Sequence, residues 1–154
     1  MNRSLALLLG SGFLLALPAV GAGPGVKTQL IGGTPPGMAA KSDVWLDYSG
    51  AEELVLRGAK TEFHVAYRRV NTLEYGQSVS RRYVAAVLIS PLLLLSKSRK
   101  HFVTLGYLDA EDRQQVMVFR VGKGDIRSVL AGLEARTGRR LEFQDDDARK
   151  TLKG

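Results

Sequence analysis

The stretch HFVTLGYLDAEDRQQVMVFRV, residues 101–121, does most to decide the fold. Its two halves are rich in apolar, aromatic and β-branched residues, and the polar turn DAED at residues 109–112 separates them. Two such runs on either side of a short turn are typical of a β-hairpin. The sequence therefore predicts antiparallel strands over residues 101–108 and 115–121.

One amphipathic helix is predicted directly after this hairpin, over residues 125–137. Ile126, Val129, Leu130 and Leu133 fall at positions i, i+3, i+4 and i+7, so they line one face of a helix. Asp125 precedes them, and its carboxylate is expected to accept from free amides of the first turn. Gly138 follows, and glycine readily takes the left-handed conformation that ends a helix.

Four further strands are predicted upstream of the hairpin, over residues 44–48, 54–56, 63–67 and 70–75. Turn residues separate the first three, and large apolar residues alternate in the third, as in a half-buried strand. The predicted fold class is therefore mainly β, as an antiparallel sandwich or open barrel that is closed by one C-terminal amphipathic helix.

The hairpin, the helix and the segment VAYRRVNTLEYG at residues 65–76 together resemble the pleckstrin-homology-like (PH-like) superfold, including small exported bacterial proteins of unknown function. The resemblance covers residues 42–143 and concerns the fold. In this superfold, members that bind inositol lipids carry basic residues between their first two strands. The corresponding loop here, SGAEE at residues 49–53, is acidic, so that mode of headgroup binding is not expected.

The regions outside this domain have distinct compositions. Residues 1–22 read as a signal peptide, because Arg3 precedes an apolar stretch that ends in small residues. An uncleaved anchor is the alternative, and either reading predicts an exported protein of the periplasm or cell envelope. Residues 23–41 are rich in Gly and Pro and are predicted to be a linker with a short edge strand over residues 26–31. Residues 144–154 are expected to form a flexible, solvated tail.

An apolar run, YVAAVLISPLLLLS, interrupts the domain at residues 83–96. Its length is below the roughly 20 apolar residues of a membrane-spanning helix, and Pro91 would kink a helix at its centre. Three readings stay open: a buried core segment, a loop that dips into a membrane interface, or an oligomer contact. The predicted membrane or partner contacts are Tyr83, Val84, Val87, Leu88, Ile89, Leu92, Leu93, Leu94 and Leu95. The predicted headgroup contacts are the flanking cations Arg81, Arg82, Lys97, Arg99 and Lys100.

The remaining composition predicts little chemistry. The chain has no cysteine, which excludes thiol catalysis and disulfides, and its net charge of +7 is dispersed among many acidic residues, unlike a nucleic-acid tail. His64 and His101 lack metal-ligand spacing with Asp43 or Glu62. The glycines around Lys123 lack a phosphate-loop spacing, and Asp145, Asp146 and Asp147 lack the pattern of a calcium loop.

The functional prediction is therefore a non-enzymatic binding module without metal or cofactor. It is expected to associate peripherally with an anionic membrane through the apolar run and its basic flanks. The alternative is a protein-interaction or homo-oligomerisation module that uses the same run. Nucleic acid is not an expected partner.

Overall fold

The computed structural model describes residues 25–33, 35–80, 82 and 100–153 of the chain. Within these ranges it has eight strands, two α-helices and one 3-10 turn over Tyr67–Arg69. The strands are β1 (Val26–Gly33), β2 (Ser42–Asp47), β3 (Glu53–Arg57), β4 (Glu62–Ala66), β5 (Val70–Gly76), β6 (His101–Leu108), β7 (Gln114–Val121) and β8 (Glu142–Phe143). The helices are α1 (Ile126–Thr137) and α2 (Asp146–Lys153). The predicted mainly β class is confirmed.

The strands form a single sheet in the order β4-β3-β2-β1-β7-β6-β5-β8. Neighbouring strands pair in antiparallel fashion except β8, which runs parallel to β5. The ring centroids of Phe63 on β4 and Tyr107 on β6 lie 5.9 Å apart, although these strands are far apart in the sheet order. The sheet must therefore be strongly curled.

The core follows from the two-residue period of the strands, which places every second side chain on the same face. Val44 and Leu46 of β2, and Val103 and Leu105 of β6, are fully buried on the inner face. Helix α1 packs against β5 and the 3-10 turn. Its apolar face completes the core, and the four helix residues predicted to line that face are all buried: Ile126, Val129, Leu130 and Leu133.

The opposite face of β6 and β7 is buried as well. Phe102 and Thr104 of β6 and Val118 of β7 are at most 3% exposed, although they alternate with the core residues of the same strands. Glu74, opposite Thr104 in the register, is a buried carboxylate on this face. Both faces of the sheet are therefore covered at this position.

The structure also shows how the helix ends. Gly138 has φ 65°, and its amide donates to the carbonyl of Glu134, so the predicted left-handed end is confirmed. The predicted side-chain cap at Asp125 is wrong, because its carboxylate makes no capping hydrogen bond. The backbone closes this end instead: the amides of Asp125 and Ile126 both donate to the carbonyl of Gly122, each at 3.1 Å.

Two segments differ from their predictions. Residues 26–31 were expected at a sheet edge, but β1 is a central strand that pairs with both β2 and β7. Residues 144–154 were expected to be a solvated tail, but they contain α2, whose Ala148 is fully buried. Asp145 begins this helix, since its Oδ1 accepts from the amide of Ala148 at 2.7 Å.

Among the described residues, no helix combines the length and the apolar character that crossing a membrane requires. The apolar run and the predicted signal peptide lie outside the described residues.

Candidate functional site

One end of the sheet gathers the chain segments that the sequence singled out. The registers align the start of β1, the end of β7, the start of β6 and the end of β5, because His101 pairs with Val121 and Gly76 pairs with Phe102. The chain leaves β5 and re-enters β6 at this end, so the apolar run connects two adjacent strands here. The N-terminal region also reaches the sheet at this end, where β1 begins at Val26.

A cleft of about 430 Å³ lies at this same end, on the surface of β1 and β7. Four cationic residues and one carboxylate line it: Lys27, Lys100, Arg120, Lys123 and Asp43. The register explains part of this set. Gln29 of β1 pairs with both Asp43 and Arg120, and side chains directly opposite each other share a face, so three strands contribute to one row.

Lys27 is the one cation of the cleft that has a carboxylate partner among the described residues. Its Nζ lies 2.9 Å from Oδ2 of Asp43, and both side chains are more than half exposed. The same Nζ lies 5.7 Å from the ring centroid of Trp45, its cross-strand neighbour. This tryptophan, the only one in the chain, is half-buried beside the cleft.

Within the described part of the chain, Lys100, Arg120 and Lys123 make no ion pair. His101 also lines the cleft, and burial, followed by the positive charge of Lys123, lowers the pKa of His101. Nδ1 of His101 lies 2.7 Å from the hydroxyl of Tyr75, whose ring stacks on the imidazole. The cleft is thus a concave surface with an excess of positive charge, and such surfaces concentrate anions.

A second cleft, of about 620 Å³, serves as a comparison. It lies between β4 and the β6–β7 turn, and its lining contains cations as well. Two of these cations are paired with carboxylates of the β6–β7 turn, because Arg69 of the 3-10 turn meets Asp112 at 3.0 Å and Arg113 meets Asp109 at 3.0 Å. Positive charge is therefore balanced there, whereas the first cleft carries a surplus.

The predicted contact residues lie mostly outside the described residues. This holds for Tyr83, Val84, Val87, Leu88, Ile89, Leu92, Leu93, Leu94 and Leu95, and for Arg81, Lys97 and Arg99. Of the predicted headgroup cations, Lys100 lines the cleft and Arg82 does not. Arg82 pairs with the buried carboxylate of Glu74 and lies 3.5 Å from Glu142, so it joins the beginning of the apolar run to β5 and β8.

Sequence reasoning missed Lys27 and Arg120, and it gave Lys123 no role because the glycines around it lack a phosphate-loop spacing. These residues are distant in the chain from each other or from the apolar run, and only the pairing of β1 with β7 brings them together. The local signal that was available is the alternation in β7, where Arg120 interrupts an apolar strand at an outward position between the inward residues Phe119 and Val121.

The described residues offer no metal centre. His64 lies between two carboxylates, 3.1 Å from Glu53 and 3.8 Å from Glu62, on an exposed surface of β3 and β4. No cluster of three or more His, Cys, Asp or Glu suited to a metal ion occurs in the ranges that the structure describes. His64 and His101 are at different places, since His101 contacts Tyr75.

No protein-family model matches the chain, and no curated protein matches it.

Proposed function

We propose that this protein is an exported, non-enzymatic binding module that associates peripherally with an anionic membrane surface. The apolar run (residues 83–96) would enter the interface, and the cationic cleft would face the headgroups. The observation that carries the proposal is positional: the connection that contains the apolar run leaves and re-enters the sheet at the end where Lys100, Arg120 and Lys123 line the cleft.

The charge at this end suits an anionic lipid surface. Each Lys or Arg near such a surface contributes about 1 kcal/mol of attraction. Lys100 belongs to both the cleft and the basic flanks of the run, and Arg120 and Lys123 add to the contribution of those flanks. Trp45, half-buried beside Lys27, is a residue type that favours the boundary between apolar and aqueous phases.

The proposal extends to the fold and to the compartment. Seven antiparallel strands followed by α1 support assignment to the PH-like superfold, which the sequence resemblance implied. The acidic stretch at residues 49–53 was matched to the loop between the first two strands, but it follows β2, because β1 precedes it in the sheet. The position of the cleft on β1 and β7 therefore makes membrane contact by an outer surface the proposed mode. Export rests on residues 1–22, and the periplasm or envelope is the proposed location.

Vesicle flotation tests the proposal. The protein is mixed with phosphatidylcholine vesicles that contain or lack phosphatidylglycerol, and the floating fraction is measured at low and high salt. We expect flotation with the anionic vesicles, a decrease in high salt, and loss when Leu92, Leu93, Leu94 and Leu95 are all replaced by Ser. Equal recovery of the parent protein and this variant would reject a role of the run in membrane binding.

A charge-matched pair of variants isolates the cleft. R120Q/K123Q removes two cations of the cleft. R68Q/R140Q removes two exposed arginines: Arg68 precedes β5 by two residues, and Arg140 follows Arg139, which donates to the carbonyl of Val70. We expect only the first variant to float less. A defined oligomer in detergent-free buffer that ignores lipid would instead favour the protein-interaction function.

A further inference from the structure

We infer that the cationic cleft contains a phosphate-binding subsite formed by Lys100, Arg120 and Lys123. The inference deepens the proposed membrane function and rests on it for the orientation of the cleft, but it makes a separate chemical claim. A general attraction to negative surfaces needs only net charge, whereas a subsite requires donors that face one cavity.

The four cations of the cleft differ in whether they have an acidic partner. Asp43 neutralises Lys27 at 2.9 Å, and the aromatic face of Trp45 gives the same ammonium a further contact. The other three line the same cavity without an acidic partner among the described residues. Clustered like charges repel each other, so their placement costs free energy that a bound anion would offset.

The hydrogen-bond donors of the cleft suit a phosphate group. The guanidinium of Arg120 has a planar set of N–H groups that fits two oxygens of a phosphate, and the two ammonium groups supply mobile point charges. Arg120 is held between Gln29 and Phe102 by the pairing of β7 with β1 and β6, so its position is set by strands. Lys100 and Lys123 stand where β6 begins and where β7 has ended.

The remaining lining and the size of the cavity also suit a phosphate group. Asp43 is the one carboxylate of the lining, and Lys27 holds it. A volume of about 430 Å³ accommodates a phosphate group together with part of the molecule that carries it. The same chemistry admits the headgroup of a phospholipid or a free phosphate.

His101 provides a reporter for the subsite. The positive charge of Lys123 contributes to lowering the pKa of this imidazole. A phosphate bound between Lys123 and Arg120 would cancel that charge, so the pKa of His101 should rise on binding. This response distinguishes an anion within the cleft from ions that merely screen the protein surface.

The test is an NMR titration of the protein with inorganic phosphate, with chloride at matched ionic strength as the control. We expect saturable shifts at His101 and Lys123 with phosphate only, a higher His101 pKa at saturation, and a loss of affinity of roughly tenfold for each cation removed in R120Q/K123Q. R68Q/R140Q should respond like the parent protein. Equal responses to phosphate and chloride, or an unchanged response in R120Q/K123Q, would overturn the inference.

Vesicle-binding measurements then distinguish the two sources of phosphate, a phospholipid headgroup and free phosphate. Phosphatidylglycerol vesicles are compared with vesicles that carry the same surface charge as the carboxylate of oleic acid. Preference for the phospholipid assigns the subsite to a headgroup, and equal binding with a retained response to inorganic phosphate assigns it to free phosphate. Vesicle binding without any response to inorganic phosphate would refute the subsite alone. A response to inorganic phosphate without vesicle binding would refute the membrane function alone.

Discussion

Replacing Asp43 with Asn should strengthen binding to anionic vesicles. Asp43 is the single carboxylate of the cleft, and its partner Lys27 is released when the charge is removed. An increase in affinity is a stringent test, because most substitutions weaken a protein–ligand contact through loss of structure. D43N instead keeps the size and the polarity of the side chain and changes one charge.

The expected magnitude follows from the charges of the cleft. Four cations and one carboxylate give it a net charge of about +3, which D43N raises to about +4. One additional positive charge near an anionic surface contributes about 1 kcal/mol, or about a fivefold gain in affinity. Stability should change little, because both partners of the pair are more than half exposed and such pairs contribute about 0–1 kcal/mol.

D112N is the matched control, since it makes the same change of net charge in the β6–β7 turn. Strand β6 separates the two sites, and its eight residues span about 25 Å, well beyond the screening length of about 8 Å in physiological salt. Asn tolerates the positive φ of 59° at this position. The fluorescence of Trp45 reports vesicle binding beside the cleft. An equal gain in D112N, or no gain in D43N, would refute the local electrostatic reasoning.

Three further predictions concern stability. Burial and the charge of Lys123 hold the pKa of His101 below its ordinary value of 6.5. The neutral imidazole therefore stabilises the fold above pH 6.5, and this stability is lost as the pH falls through the folded pKa. The urea midpoints measured at acidic and at neutral pH should therefore differ less in H101Q than in the parent protein. In the same assay, G33A should lower the free energy of unfolding by about 1–3 kcal/mol. Gly33 has φ 142°, and an added Cβ would lie 2.6 Å from a carbonyl oxygen of β7. The control G124A should be nearly neutral, because no atom lies near its added Cβ. A148D would place an unpaired charge in the core and should cost about 3 kcal/mol or more, with α2 lost from the circular dichroism spectrum; a parent-like urea midpoint would show that α2 does not close the core.

The parts of the fold that follow from local pattern could be predicted. The strand His101–Leu108 has the predicted bounds, and β7 begins one residue before its predicted start at Gln115. The apolar face of α1 was predicted from its helical spacing. In each of these segments, the residues that form the element also carry the pattern, so nothing distant in the chain is needed to interpret them.

The parts that depend on distant partners could not be predicted. β1 ends in Gly32 and Gly33 and looks like an edge segment, yet it joins the two halves of the sheet through β2 and β7. Helix α2 has few apolar residues, so its pattern is weak. Asp145 was a usable signal for that helix, because an aspartate three residues before the buried Ala148 is well placed to cap it.

The two clefts differ in how the fold compensates the charges that line them. At the β6–β7 turn, burial acts to raise the pKa of Asp109, but hydrogen bonds from Arg113, Gln115 and the amide of Glu111 together hold it below its ordinary value. Those charges are satisfied within the fold. At the cleft, the pKa of His101 is lowered by burial and by a cation that has no acidic partner in the described ranges. Clustered like charges that the fold leaves without partners destabilise the unbound protein, and a bound anion compensates them. We therefore expect binding energy and unbound stability to oppose each other at Arg120 and Lys123, and the proposed function uses this end of the sheet for that reason.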